Sequence, residues 1–310
     1  MAFMESRNHS TVTHFILLGF SSDPNIQIVL FFIFLVVYVV LLMANILLIL
    51  AVTFDPRLHN PMYFFLINLS VINICGPSVI VPRMLVDFLS EDKSIMFASC
   101  VTQGFFNIFL VGCECLLLVF MAYDRYVAIC KPLRYNEIMN RSVCALIAIF
   151  TWTVSSAMSS IYIFIVYTLT FCGPNIINHF MCSSKYLMIL SCNDTSRSNS
   201  LSIFGSSAIL LVPFLLILFS YYKIISSIKG IRSRRYKAFS SCTPHLIVVS
   251  LFYLSATVYS MRTNVTVDNN TGGKVLSVFC VIIIPMVNPM IYSLRNDDVI
   301  GALRHLVRLQ

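Results

Sequence analysis

Residues 26–52 form an apolar run without one charged side chain, and six more such runs follow at 61–81, 97–123, 143–167, 201–222, 238–261 and 275–294. Only the third of the seven contains an acid, Glu114. A membrane-spanning helix takes about 20 mostly apolar residues, and each run reaches or exceeds that length. Strands of a membrane barrel would be about ten residues long and alternate in polarity; these runs are apolar on every face. The fold class expected is therefore all-α: a seven-transmembrane helix bundle forming one membrane domain over residues 1–310. Residues 1–25 are its outer N-terminus and 295–310 its inner tail, where Val299, Ile300, Leu303, Leu306 and Val307 at helical spacing beside Arg304 and Arg308 predict a short amphipathic helix on the membrane surface. The composition agrees, with 58% hydrophobic and 11% charged residues where soluble domains have about 45–50% and 25%. No internal repeat of the kind that builds transporters is visible.

Charge gives the orientation. The connections on the side of the C-terminus hold two-thirds of the 21 lysines and arginines, with a dense group from Lys229 to Lys237. Basic excess marks the cytoplasmic side, so the N-terminus is expected outside. The net charge of +8 is then a cytoplasmic face and requires no nucleic acid. The Lys229–Lys237 group serves topology and anionic lipid, or docks a cytosolic partner. Residues 1–25 are polar and mixed, so the first span is expected to act as the membrane-targeting signal. Asn8-His9-Ser10 is a glycosylation sequon on the outer side. Further sequons start at Asn193, Asn264 and Asn269 in outer loops.

Topology also sorts the eleven cysteines. Cys100, Cys172, Cys182 and Cys192 face the oxidising side, where disulfides persist, and four cysteines allow three pairings. The other seven read as small buried thiols. His179 with Cys182 is a loop pair that a metal would need to find further ligands for.

Polar groups within hydrocarbon need a reason. Asn45, Asn73, Glu114 and Asn288 are expected inside the bundle at middle depth as a hydrogen-bonded cluster. Glu114 has no basic residue in any span, so it carries a proton or pairs with an ion. Asp124 and Arg125 sit at the inner end of the third span as a local ion pair or a latch. Pro213, Pro285 and Pro289 would interrupt helical hydrogen bonding and permit kinks. The motifs of zinc hydrolysis, serine hydrolysis and phosphate binding are missing, so no catalytic residue is assigned and an enzyme is not expected.

An ordered set of motifs adds to this reading. MAYDRYVAICKPLRY at 121–135 resembles, nearly residue for residue, the signature of odorant receptors, a family of rhodopsin-like G-protein-coupled receptors. LHNPMYFFL at 58–66, KAFSSCTPHL at 237–246 and PMVNPMIYSLRN at 285–296 are similar to that family's second-span, sixth-span and seventh-span patterns. The resemblance covers nearly the whole chain. It implies the pairings Cys100–Cys182 and Cys172–Cys192. It implies a plasma-membrane receptor that binds a volatile odorant and activates a stimulatory, olfactory-type heterotrimeric G protein, raising cyclic AMP, with no cofactor. Arg125 would leave Asp124, beside Tyr126, and meet Tyr221 and Tyr292 near the G-protein tail.

The odorant would sit under the second outer loop among the third, fifth, sixth and seventh spans. The residues carried over are Gly104, Asn107, Ile108, Val111 and Gly112; Ser202, Gly205, Ser206 and Ile209; Tyr253, Ala256, Thr257 and Ser260; then Val278 and Ile282. They suit a small, mostly hydrophobic molecule with one hydrogen-bonding group. Lys185 in the loop is the candidate partner for an anionic group, or it faces water. The chain departs from the family in having Asn73 where an acid is common, so a sodium site at Glu114 and Asn73 would have one carboxylate rather than two. Ala44, Ser183 and Pro244 depart as well. A small-solute transporter or channel is the competing class, but a polar path through the membrane has only Glu114 to offer. A receptor of the same fold for a non-chemosensory ligand is the third.

Overall fold

The computed structural model describes residues 12–172, 174–192, 196–228, 232–261, 271–294 and 297–308, with the side chains of 184, 196–204, 206, 232–241, 260–261, 294, 297 and 305–308 left aside. Asn8, Asn193, Asn264, Asn269 and Lys229 lie outside the described residues.

In chain order the elements are β1 (His14–Leu17), α1 (Pro24–Phe54), α2 (Pro61–Leu89), β2 (Ser94–Met96), α3 (Phe97–Cys130), α4 (Tyr135–Ile138), α5 (Arg141–Tyr167), β3 (Ile176–Ile177), α6 (Ser184–Ile189), α7 (Ser196–Ile228), α8 (Arg232–Met261), α9 (Thr271–Val278), α10 (Ile284–Leu294) and α11 (Asp297–Arg308). Seven of the described helical stretches are long and apolar enough to cross a membrane: α1, α2, α3, α5, α7, α8 and the α9–α10 rod. The tail helix expected beyond residue 295 is α11.

Local chemistry sets the helix starts. Asp23 caps α1 by accepting from the backbone N–H of Asn25 at 2.8 Å, and Pro24 follows with its φ already helical. Asn60 and Pro61 repeat the device at α2, and Asn140 caps α5 through the N–H of Val143 at 3.0 Å. Between α9 and α10, Phe279–Ile283 forms a π-helical turn. It lies directly ahead of Pro285, which has no N–H for the carbonyl of Val281 and whose ring crowds that carbonyl. Pro77, Pro82, Pro213 and Pro244 are accommodated inside α2, α7 and α8.

Hydrophobic packing forms three bodies. The central one joins α1, α2, α3, α5, α7, α8 and α10 around Leu117, Leu118, Tyr221 and Tyr253. A second, under the outer loops, gathers Phe15, Leu17, Tyr162 and Leu187. The third packs Phe34, Ile80, Met84, Phe180 and Ile282 where α1, α2 and the α9–α10 rod meet.

The outer end also carries a three-stranded sheet, ordered β2-β1-β3, that the apolar pattern does not announce. β1 runs antiparallel to β2, with His14 opposite Met96, and parallel to β3, with Ile16 opposite Ile176. Side chains alternate along β1, so Phe15 and Leu17 are wholly buried while His14 and Ile16 face out. Phe15 contacts Phe171 edge-on at 5.3 Å. Both cysteine pairs form, Cys100–Cys182 and Cys172–Cys192.

Candidate functional site

Three layers of polar groups run through the bundle, from the inner end to the outer loops. The innermost is built on the last turns of α3. Asp124 is fully buried, and Arg125 donates to its Oδ2 from Nη2 at 2.7 Å and from Nε at 3.3 Å. After α3 ends, Pro132–Arg134 make a tight turn that brings α4 back under the helix. Tyr135 then donates its hydroxyl to the other carboxylate oxygen, Oδ1, at 2.7 Å. Burial, and next the Asp124 charge, push the Tyr135 phenol above its ordinary pKa, so it stays a donor. With both of its oxygens occupied, Asp124 holds Arg125 against the last turns of α3.

Tyr221 on α7 and Tyr292 on α10 are buried nearby, in the same central cluster. Between α7, α8 and α3 stands His245, a residue the sequence offered only as part of a motif. Its Nε2 faces the carbonyl of Leu118 at 3.1 Å and its Nδ1 the hydroxyl of Tyr221 at 2.7 Å. A carbonyl can only accept, so Nε2 carries the proton and Tyr221 donates to Nδ1. One imidazole thus bridges α8 to both α3 and α7. A titratable ring within an apolar run is the signal that marks it.

The middle layer links the four polar residues expected there. Asn45 donates to the carbonyl of Pro285 at 3.1 Å and to that of Leu41 at 2.9 Å. Asn73 donates to Asn45 Oδ1 at 3.3 Å, and Asn288 reaches Asn73 Oδ1 and Glu114 Oε1, each at 3.4 Å. The Asn73 of this chain therefore joins α1 to the α9–α10 rod with an amide in place of an acid. All four residues are buried.

The outer layer is a cap. The Cys100–Cys182 bridge ties the second outer loop to α3, and the N–H of Cys182 donates to Gln103 Oε1 at 2.8 Å. Gln103 in turn donates to the carbonyl of Val79 on α2 at 3.2 Å. Across the bundle, His179 accepts from the N–H of Met181 at Nδ1, 3.3 Å, and meets Ser277 Oγ with Nε2 at 3.2 Å. Ser277 gives its own proton to the carbonyl of Gly273 at 2.9 Å. The ring is thereby fixed as the neutral tautomer with hydrogen on Nε2. Burial, with help from the Lys274 charge, drops its pKa from 6.5 to about 3. Lys274 Nζ donates to Asn178 Oδ1 at 2.7 Å. His179 is thus a clasp between loop and α9, and not a metal ligand with Cys182, whose sulfur is in a disulfide. No cluster of three metal-binding side chains occurs among the described residues.

The residues proposed to line a ligand site divide. Val111, Ile209 and Tyr253 meet in the central cluster, where Tyr253 packs on Phe214 at 5.1 Å. Ile108 lies against the cluster under the outer cap. Asn107, Gly205 and Ala256 are half-buried and Thr257 is exposed on α8. Ser202, Ser206 and Ser260 lie on α7 and α8 with side chains outside the described set. Two glycines turn elsewhere. A Cβ on Gly104 would collide with the Tyr162 phenol of α5, and one on Gly112 would stand 3.2 Å from Ser155 Oγ of the same helix. They open α3 to α5 rather than to a ligand. Val278 and Ile282 pack with α1, α2 and the loop residues Phe180 and Met181. Lys185 is half-buried on α6.

The chain is similar to known proteins over nearly its whole length. The family model for olfactory receptors matches residues 34–309. Olfactory receptor-like protein OLF4 of Canis lupus familiaris is 42% identical over 307 residues, which is 98% of this chain and 99% of the relative. Olfactory receptor 10A7 of Homo sapiens is 43% identical over 306 residues, 98% of this chain and 96% of the relative. Among solved structures, squid rhodopsin superposes with a TM-score of 0.74 over 93% of this chain and 87% of its own, at 18% identity.

Proposed function

Because this chain belongs to the olfactory receptor family of G-protein-coupled receptors, we propose that it sits in the plasma membrane with its N-terminus outside, binds a small, mostly hydrophobic volatile and activates a stimulatory, olfactory-type G protein that raises cyclic AMP. The family is a receptor class without enzymatic activity. The observation that carries the coupling step is the inner latch: Asp124 held by both Arg125 and Tyr135. A ligand that favours the open bundle must bind it better than the closed one. Opening then costs the Arg125–Asp124 pair, and Arg125 turns toward Tyr221 and Tyr292 to meet the G-protein tail. The His245 bridge ties α8 to α3 and α7, so outward movement of α8 breaks it in the same step.

The ligand is placed among Asn107, Ile108, Val111, Ile209, Tyr253 and Ala256, with Ser202, Gly205, Ser206, Thr257 and Ser260 completing the walls. Support comes from the convergence of α3, α7 and α8 on Tyr253 beneath the cap. The outward orientation rests on the basic excess at the inner connections and on two disulfides at the opposite end.

The test is a cyclic-AMP reporter in cells challenged with a panel of volatiles. At least one volatile should raise cyclic AMP, and Arg125→Ala should abolish that response with surface expression retained. A full response from the Arg125 variant would overturn the coupling scheme.

A further inference from the structure

One cation lies inside the outer cap with no acid beside it among the described residues. Lys274 stands on α9, one turn outward of Val278, and only 8% of it is exposed. Its ammonium has three donors, and the partner in place is a neutral oxygen, Asn178 Oδ1, at 2.7 Å. The groups around it are neutral too. His179 is fixed with its proton on Nε2, and Ser277 is engaged in both directions. The carboxylate at the top of α2, Asp87, is taken by Arg83 at 2.8 Å. The loop that covers the ammonium is pinned to α3 by Cys182 and to α9 by His179, which keeps the side chain from swinging out to water. A charge buried in this way is costly unless an opposite charge joins it.

We infer that Lys274 is the anchor for a carboxylate-bearing ligand, held between α9 and the second outer loop. The head group would complete the ammonium's hydrogen bonds. The apolar tail would run inward along Val278, which is partly buried against Phe180 and Met181 of the loop. The ligand class is thus narrowed to aliphatic or aromatic monocarboxylates. This rests on the reading above that the chain is a receptor for small apolar molecules.

The experiment uses the purified full-length receptor in detergent, with octanoate and methyl octanoate as probes and thermal melting as the readout of affinity. Octanoate should stabilise the wild type and Lys274→Arg at concentrations at least tenfold below those the ester needs. Lys274→Met should lose that preference, leave the ester unaffected, and melt no lower than the wild type when ligand-free. Equal binding of acid and ester by the wild type overturns the inference, as does an equal loss of both in Lys274→Met. Asp194, in the same loop, and Asp268, six residues earlier, are acids outside the described residues. Octanoate stabilising Asp194→Asn or Asp268→Asn but not the wild type would mean that this acid already pairs with Lys274, and would also overturn it. Failure here leaves signalling by neutral volatiles intact, whereas failure of the receptor reading removes signalling by every volatile and spares octanoate binding.

Discussion

Asn45 donates to the carbonyl of Pro285 in place of the backbone N–H that Pro289 lacks. In a regular helix residue 289 would close that bond. A side chain of α1 therefore repairs the break that a proline makes in α10, and the two helices are joined at the repair. Asn45→Ala leaves that carbonyl and the amide of Asn73 short of partners in the buried middle of the bundle. It should lower stability by about 1–3 kcal/mol, read as a fall in melting temperature of the detergent-purified receptor. An unchanged melt would show that the carbonyl finds another donor.

Tyr135→Phe tests the inner latch with the loss of one oxygen atom. Asp124 would keep Arg125 but lose its second donor, a hydrogen bond to a charged group that contributes about 1.5–3 kcal/mol. If that bond belongs to the closed state, basal signalling should rise roughly tenfold, since 1.4 kcal/mol is a tenfold change in an equilibrium. Ligand-free cyclic AMP, normalised to surface receptor, measures it. Basal output at the wild-type level would place the bond in both states.

Gly104→Ala asks whether the α3–α5 seam is as close as it stands. The added methyl meets the ring of Tyr162, and overpacking of this kind costs about 1–3 kcal/mol. Surface expression and melting temperature should both drop, and Gly104→Ala with Tyr162→Ala should recover part of the loss. A single variant that melts like the wild type would refute the tight seam.

The cap should weaken in acid. The ordinary histidine pKa of 6.5 falls to about 3 for His179 in the folded cap, so the released loop binds the extra proton between those limits. Stability of the clasp is complete above pH 6.5 and declines as pH falls toward 3, by about 2 kcal/mol at pH 5. A protonated ring would also set Nδ1–H against the N–H of Met181. The protection factors of residues 176–183, with the intrinsic pH dependence of amide exchange divided out, should fall between pH 7 and 5, and His179→Gln should flatten that dependence. Protection independent of pH in the wild type would contradict the buried neutral ring.

The seven spans were legible because burial in lipid demands continuous apolar runs, and nothing in a loop imitates 27 uncharged residues such as 26–52. Asn45, Asn73, Glu114 and Asn288 were legible for the complementary reason: polar groups in hydrocarbon must find each other. The sheet was not. Its strands have four, three and two residues, too short for alternation to register, and their partners are far apart in the chain. Nor does composition tell which side of α3 a glycine opens. Gly104 and Gly112 suit a ligand wall as well as a helix seam until Tyr162 and Ser155 are placed. His245 and Lys274 needed the tertiary structure as well, since each acquires its meaning from groups on other helices.

The small sheet at the outer end also orders the assembly of the protein. β1 is the first described element of the chain, yet Ile16 pairs with Ser94 and with Ile176, so its neighbours are synthesised long after it. In the orientation proposed above, the N-terminal segment waits on the far side of the membrane until α5 has been inserted and the second outer loop has crossed. Phe15 and Leu17 stay uncovered throughout that interval. Closure of the cap thus follows insertion of the first four spans, and a chain stalled before residue 176 would leave two apolar side chains uncovered.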